Sequence, residues 1–187
     1  MINNFFFLLF TFILTLNSTT LYALTYDDDV LDIFSKLLPR FILMSSKKNK
    51  IQDKIVICVL HDRIDERIAL SLMDKIDSNY PNGIKNYKIK LINSNYSNID
   101  LCQNSQLAFM LDTGEKNIEK AIKFSNENTI FTMSYDAKYL ENGVNASLFL
   151  GRKVTPYINM SAVSKNGIEL DNALVRISKI YSNEDGK

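Results

Sequence analysis

The chain has 187 residues, an apolar fraction of 46% and a formal net charge of +1 from 22 basic and 21 acidic side chains. This length and apolar content predict one globular domain with a packed core rather than a disordered segment. The balanced charge offers no basic face, so we expect no nucleic acid partner. With one histidine, His61, and two cysteines, a catalytic zinc site or a Ser-His-Asp site would have to use His61. We therefore expect no metal and no cofactor.

The first 23 residues have the composition of a secretory signal peptide. They contain no charged side chain, and Phe5–Leu16 is almost continuously apolar. An apolar core of about 12 residues is too short to cross a bilayer, which takes about 20. We predict cleavage after Ala23 and export of a domain comprising residues 24–187. The alternatives are an uncleaved membrane anchor and a buried N-terminal helix.

Export changes the interpretation of the two cysteines, because cysteines usually pair in an oxidising compartment. Cys58 lies within the apolar run Ile55–Leu60, and Cys102 precedes a second apolar run, Leu107–Leu111. If these runs are neighbouring strands, a disulfide can join them. Two buried free thiols are the alternative, and the sequence leaves both open.

The first predicted element is a helix with an apolar stripe at Val30, Ile33, Phe34, Leu37, Leu38 and Phe41. Pro39 should kink or end this helix, and a solvated, lysine-rich loop should follow over residues 45–54. The continuous apolar run Ile55–Leu60 then predicts a buried strand. Residues 64–76 have helical apolar spacing and predict the helix after it.

Strands and helices continue to alternate as far as Met133. The predicted elements are a half-exposed strand over Tyr87–Ile92, a polar loop with a short helical turn over 93–104, a strand over Leu107–Leu111, a helix over 118–124 and a strand over Thr129–Met133. This alternation favours a mainly parallel sheet with helices on its faces.

The C-terminal part departs from this alternation. Two segments, Leu148–Leu150 and Val154–Ile158, flank a short turn at Gly151 and predict an antiparallel hairpin. Pro156 lacks an amide hydrogen, so its strand should lie at an edge or contain a bulge. A short helix is predicted over Met160–Lys165. The final helix should bury a stripe of Leu170, Leu174, Ile177 and Tyr181.

The predicted fold is therefore α/β: a single three-layer, Rossmann-like domain whose mainly parallel sheet ends in an antiparallel C-terminal edge hairpin. His61 and Asp62 follow its first strand, where open parallel sheets usually bind ligands. They could form a general base with its orienting group, or His61 could be a loop residue hydrogen-bonded to backbone. No glycine-rich loop follows that strand, which argues against a dinucleotide site. A small-molecule pocket near His61, Asp112 and Ser134 is a further hypothesis.

Three parts of the chain, Ile57–Leu60, Cys102 before the strand at Leu107, and the block from Thr129 to Tyr181, together resemble the YfiR family of exported signalling proteins (YfiR/HmsC type). Within that block, Tyr157-Ile158-Asn159 is similar to the end of a family strand. The chain departs from the family at Leu37-Leu38-Pro39, where the family has a tryptophan, and it lacks a second cysteine pair found in some members.

The resemblance implies a periplasmic domain, commonly dimeric, that is not an enzyme. It would bind and inhibit the periplasmic part of an inner-membrane diguanylate cyclase or related sensor, and so control cyclic di-GMP signalling and biofilm formation. The hairpin face around Arg152, Lys153 and Tyr157 is a candidate partner contact, with a solvated edge as the alternative. The alternative function is a periplasmic small-molecule-binding sensor domain.

Overall fold

The computed structural model describes residues 26–182, so the predicted signal peptide and its cleavage site lie outside the described residues. Within this range the strands are β1 (Lys54–His61), β2 (Lys88–Asn95), β3 (Leu107–Met110), β4 (Phe131–Ser134), β5 (Ala146–Leu150), β6 (Val154–Ile158) and β7 (Lys179–Ile180). The helices are α1 (Asp28–Leu43), α2 (Glu66–Asn79), α3 (Glu115–Glu127), α4 (Met160–Lys165) and α5 (Asn172–Ile177). Short 3-10 helices span Ser46–Lys50, Arg63–Asp65, Tyr96–Cys102 and Ala137–Leu140.

The strands form one sheet in the order β2-β1-β3-β4-β5-β6-β7. Strands β1 to β5 are parallel, β6 runs antiparallel to β5, and β7 is parallel to β6. The predicted α/β fold with a mainly parallel sheet and one antiparallel hairpin is therefore confirmed. Because β2 and β3 lie on opposite sides of β1, the order reverses between β1 and β3, and a crevice is expected at their carboxyl ends.

Helices cover both faces of this sheet. Residues Ile55, Ile57 and Val59 of β1 pack on one face with α1 and α2, whereas Cys58 and Leu60 pack on the other face with α3. Every residue of β1 after Lys54 is buried. A strand covered on both faces has no solvent side, which explains its continuous apolar sequence.

Helix α1 continues through Pro39 to Leu43, so the proline does not end it. The Asp27 carboxylate caps the helix by accepting hydrogen bonds from the amides of Asp29 and Val30, at 2.8 and 3.2 Å. Its apolar residues on both sides of Pro39 are buried, among them Phe34, Leu38, Phe41 and Ile42. This packing holds the two halves together and outweighs the hydrogen bond that proline cannot make.

The prediction of a solvated loop over residues 45–54 is wrong at Lys47. Ser46–Lys50 forms a 3-10 helix capped by Ser45, and Lys47 is only 2% exposed. The Lys47 Nζ donates a hydrogen bond to the backbone carbonyl of Thr129, just before β4. Lys48, Lys50 and Lys54 are exposed, as predicted. Composition alone could not separate Lys47 from its neighbours, because its partner lies 82 residues away.

The predicted final helix is also shorter than expected. Helix α5 ends at Ile177, which is 59% exposed, and the chain then adds β7 beside β6. Leu174 is the fully buried member of the predicted stripe, and Tyr181 instead packs against the ring of Tyr157. Strand β7 pairs with Tyr157 and Ile158, so Pro156 has no partner on that side, as expected for a residue without an amide hydrogen.

Cys58 of β1 and Cys102 at the end of the 3-10 helix Tyr96–Cys102 form a disulfide, with their Cα atoms 5.5 Å apart. Both half-cystines are fully buried beneath α3. The disulfide links residues that are 44 positions apart in the sequence. The structure therefore has the bridged alternative of the two that the sequence left open. No helix within residues 26–182 is both long and apolar enough to cross a membrane.

Candidate functional site

The candidate site lies at the carboxyl ends of β1 and β3, where the strand order reverses. The side chains there are joined by hydrogen bonds, and we call them the carboxyl-edge network. Its members are Tyr26, Asp62, Asp65, Asp112, Thr113, Asn117, Lys138 and Tyr139. They come from the start of the described chain, from the loops after β1 and β3, from α3, and from the 3-10 helix before β5.

Asp62, directly after β1, is held by two side chains that follow β3. Its Oδ2 accepts a hydrogen bond from the Thr113 hydroxyl at 2.5 Å, and its Oδ1 accepts one from the Asn117 amide at 3.2 Å. The Asn117 amide also donates to the Thr113 hydroxyl oxygen at 2.9 Å. These bonds fix the loops after β1 and β3 to each other, so the two walls of the crevice form a preorganised unit.

Asp112 pairs with two neighbours from the segment after β4. Its Oδ1 lies 2.8 Å from the Lys138 ammonium and 2.5 Å from the Tyr139 hydroxyl. Burial and the Asp112 carboxylate raise the pKa of Tyr139 to about 12, so its hydroxyl stays protonated and can donate. Burial works against the charge of Lys138, but the carboxylates of Asp112 and Asp136 outweigh it and raise the pKa of this lysine.

Tyr26 closes the crevice from the side of α1. Its hydroxyl donates to Asp65 Oδ2 at 3.0 Å and accepts a hydrogen bond from the amide of Asp112 at 3.0 Å. Burial raises the pKa of Tyr26 well above its ordinary value, although the Asp112 amide acts in the opposite direction. Burial also raises the pKa of Asp65, with further contributions from the nearby carboxylates of Asp112 and Asp62. The phenol thus fills the space directly between the ends of β1 and β3.

An open groove adjoins the network on its other side. It has a volume of about 250 Å³ and is lined by Thr113, Glu115, Lys138, Tyr139, Glu141 and Asn142. Helix α3 begins at this groove after Gly114, and no side chain caps its first amides. The groove therefore combines a fixed cation, carboxylates, hydroxyls and helix N-terminal N–H groups, which can hydrogen-bond both ends of a small polar ligand.

Other grooves are larger, but they differ in position or in chemistry. One groove of about 320 Å³ adjoins the 3-10 helix Ala137–Leu140 and is mainly apolar. Its wall contains Tyr135, Leu148, Phe149 and Leu150. Grooves of about 360 and 480 Å³ lie at the amino ends of β1 and β2, near Lys54 and Lys88 respectively. Open α/β sheets bind ligands at carboxyl ends, so position favours the groove beside the network over these two.

The side chains of His61 and Asp62 are not hydrogen-bonded to each other. His61 is 4% exposed, and its Nδ1 lies 2.8 Å from the backbone carbonyl oxygen of Asp62 rather than from the carboxylate. A carbonyl oxygen can only accept, so Nδ1 carries the proton. The structure therefore has the alternative in which His61 is hydrogen-bonded to backbone, while the Asp62 carboxylate serves the network.

Of the other residues predicted for a pocket, Asp112 belongs to the network and Ser134 does not. Ser134 is fully buried at the end of β4, and its hydroxyl donates to the Asp136 carbonyl at 2.8 Å. The predicted partner contacts lie elsewhere, on the hairpin. Arg152 and Lys153 are exposed at its turn, whereas Tyr157 is 6% exposed and packs against Phe149 and Tyr181.

Most members of the network escape prediction because they are single polar residues that belong to no sequence motif. Tyr26 lies outside any periodic segment, and Thr113 and Asn117 surround the glycine that precedes α3. The sequence offered one indication of the site, which was position: Asp62 and Asp112 both follow buried strands. Between residues 26 and 182 there is no group of three or more His, Cys, Asp or Glu side chains that could hold a metal ion.

No family model matches the chain, and a search of curated proteins finds no sequence match. The structure is similar to that of a conserved domain protein from Vibrio cholerae O1 biovar El Tor, with a TM-score of 0.61, 13% identity and coverage of 81% of this chain. It is also similar to the ABC domain in complex with L-Trp from Streptococcus pneumoniae, with a TM-score of 0.57, 7% identity and the same coverage. The chain spans 60% of the length of each of these structures. At such identities the likeness shows the fold alone.

Proposed function

We propose that this chain is a small-molecule-binding domain whose ligand occupies the groove beside the carboxyl-edge network. The observation that supports this most is the place of the groove, whose lining residues follow β3 and β4 at the carboxyl edge of the sheet, beside the point where the strand order reverses. In open α/β sheets this is the usual position of a ligand.

The groove favours a small zwitterionic ligand of about amino-acid size. Its volume of about 250 Å³ lies just below the range of about 300–1,000 Å³ that is usual for drug-sized ligands, so only a small ligand fits. The Lys138 ammonium and the first amides of α3 can bind a carboxylate, while Glu115 and Glu141 can bind an ammonium group. The side chains of Thr113 and Tyr139, held in place by Asp62 and Asp112, would form the wall against which the ligand lies. The L-Trp complex of the pneumococcal domain, which shares the fold, supports the same ligand class.

The burial and hydrogen bonding of the polar groups favour binding over catalysis. The His61 ring is only 4% exposed, so a substrate in the groove has little access to it, and the carboxylates of Asp62 and Asp112 accept hydrogen bonds from hydroxyl, amide and ammonium donors. A general base would need an acceptor free to take a proton from a substrate.

The proposal can be tested by isothermal titration calorimetry of the protein with a panel of the L-amino acids. We expect at least one to bind saturably, and Lys138→Ala to weaken that binding by about tenfold or more, since a charge-assisted hydrogen bond is lost. Lys138→Arg should retain most of the affinity. Lys54→Ala, at the amino-end groove, is the matched control and should bind like the wild type. A panel without saturable binding would exclude the proposed ligand class.

The role of a periplasmic regulator of an inner-membrane diguanylate cyclase remains a prediction from the family resemblance, as do dimerisation, export and the link to biofilm formation. A ligand-binding domain of this kind is compatible with such a role, because a bound metabolite could alter the contact with a sensor. Among residues 26–182, the observation closest to a partner contact is the exposure of Arg152 and Lys153.

A further inference from the structure

The tip of the β5–β6 hairpin is exposed, apolar and basic. We define the hairpin tip as residues 149–154, Phe-Leu-Gly-Arg-Lys-Val, all of which are exposed. Leu150 is 59% exposed, Val154 40% and Phe149 38%. Leu150 and Val154 are directly paired across the two strands, so they form one apolar pair, and Arg152 and Lys153 lie in the turn between them. Large apolar side chains clustered at a protruding turn point to a contact surface.

Strand β7 extends this surface. Ile180 is 41% exposed beside β6, and Ile177, just before β7, is 59% exposed. The Lys179 ammonium lies 4.2 Å from the centre of the Phe149 ring and 4.9 Å from that of Tyr157. Cation–π contacts of this kind hold the ammonium at the aromatic faces of the two rings.

The charges of this region all have one sign. Residues 146–158 and 172–182 contain four cations, Arg152, Lys153, Arg176 and Lys179, and no acidic residue. The lining of the adjoining groove includes the carboxylate of Asp136, which is paired with Lys138 at 3.0 Å. The chain as a whole is balanced at +1, so this concentration of cations around exposed apolar side chains is a local property.

We propose that the hairpin tip is a peripheral membrane-binding element that docks on anionic lipid headgroups. Leu150 and Val154 would enter the boundary between headgroups and acyl chains, while Arg152 and Lys153 contact the phosphates beside them. Arg176 would add to the attraction from the neighbouring helix. The combination of an apolar pair with surrounding cations fits a negatively charged lipid surface, since such binding adds buried apolar area to electrostatic attraction. Docking here would hold the ligand groove near the membrane without occupying it.

The test is co-sedimentation with vesicles of equal parts phosphatidylglycerol and phosphatidylcholine, compared with vesicles of phosphatidylcholine alone. The N-terminus of the protein is first determined by intact mass, and all variants are compared with the same N-terminus, because Phe5–Leu16 is itself apolar. We expect binding to the anionic vesicles that weakens as salt is raised. Arg152→Gln/Lys153→Gln should reduce the partition coefficient about 30-fold, from about 1 kcal/mol for each cation. Leu150→Ser should reduce it about tenfold.

Matched controls distinguish binding through the hairpin tip from nonspecific vesicle binding by other exposed side chains. Ile64→Ser removes an apolar side chain that is 89% exposed outside the hairpin, and Lys116→Gln/Lys123→Gln removes two exposed cations of α3. Both controls should bind vesicles like the wild type. Equal binding to neutral and anionic vesicles, no binding to either, or hairpin variants that bind like the wild type would each overturn the proposal. In these cases the tip would be left as a contact for a protein partner.

Discussion

The hydroxyl of Tyr26 accepts a hydrogen bond from the backbone amide of Asp112 at 3.0 Å, across 86 residues of sequence. The same hydroxyl donates to the carboxylate of Asp65, so one phenol joins the segment before α1 to the loops after β1 and β3. This contact closes the crevice of the sheet on one side and leaves the groove beside Thr113, Lys138 and Tyr139 open.

Replacing Tyr26 by phenylalanine should therefore destabilise the protein. The Asp112 amide loses its acceptor and the Asp65 carboxylate loses its donor, at a cost of about 1–2 kcal/mol in the free energy of unfolding. Urea unfolding measures this difference. Tyr87→Phe is the matched control, because the Tyr87 hydroxyl makes no hydrogen bond within residues 26–182, and it should change stability by less than about 0.5 kcal/mol. Equal stability of the two variants would contradict the bridging role of Tyr26.

The disulfide between Cys58 and Cys102 should contribute strongly to stability. Closing a loop of 44 residues restricts the unfolded chain, and the chain-entropy relation gives about 4 kcal/mol for this length. We expect Cys58→Ala/Cys102→Ala to lower the free energy of unfolding by about 2–5 kcal/mol in urea. Thiol labelling in denaturant without reductant should leave both cysteines unmodified, and labelling of either one there would show that no bridge forms.

Because Lys47 is buried, we expect the free energy of unfolding to rise at alkaline pH. Burial, together with the charge of Lys50, lowers the pKa of Lys47 from 10.5 to about 8. Between these two values the unfolded chain binds a proton that the folded protein does not, so the free energy of unfolding increases with pH. The increase is at most about 1.4 kcal/mol per pH unit and begins near pH 8.

This effect is measured by urea unfolding from pH 7 to 10 with Lys47→Met as the reference. The difference in stability between the wild type and this variant should grow with pH in favour of the wild type. Lys123→Met, on an exposed face of α3, should follow the wild-type slope. Parallel pH profiles for the wild type and Lys47→Met would show that Lys47 titrates normally in the folded protein.

The fold was predictable where local pattern and tertiary environment agree. The run Ile55–Leu60 is continuously apolar because both faces of β1 are covered, and its sequence therefore indicated a central strand. The hairpin was predictable from the turn at Gly151 between two short apolar segments. The final helix was predicted too long because the apolar stripe ending at Tyr181 has helical spacing. In the structure, Lys179–Ile180 instead pairs with β6 as a strand.

The candidate site was predictable only in part. Asp62 and Asp112 were identifiable because they follow buried strands, and a parallel sheet brings such ends together. Tyr26, Asn117 and Tyr139 reach them through contacts between distant parts of the chain, which no local pattern encodes. Lys47 was missed for the same reason, since its acceptor is the carbonyl of Thr129.

The most direct test of the central claim is a map of backbone amide chemical shifts in ¹⁵N-labelled protein titrated with the L-amino acids. We predict saturable changes that are largest at Thr113, Glu115, Lys138 and Tyr139, around the groove beside the carboxyl-edge network. Saturable changes centred instead on Lys54 and Gln106, at the amino-end groove, or no saturable change with any amino acid, would contradict the account.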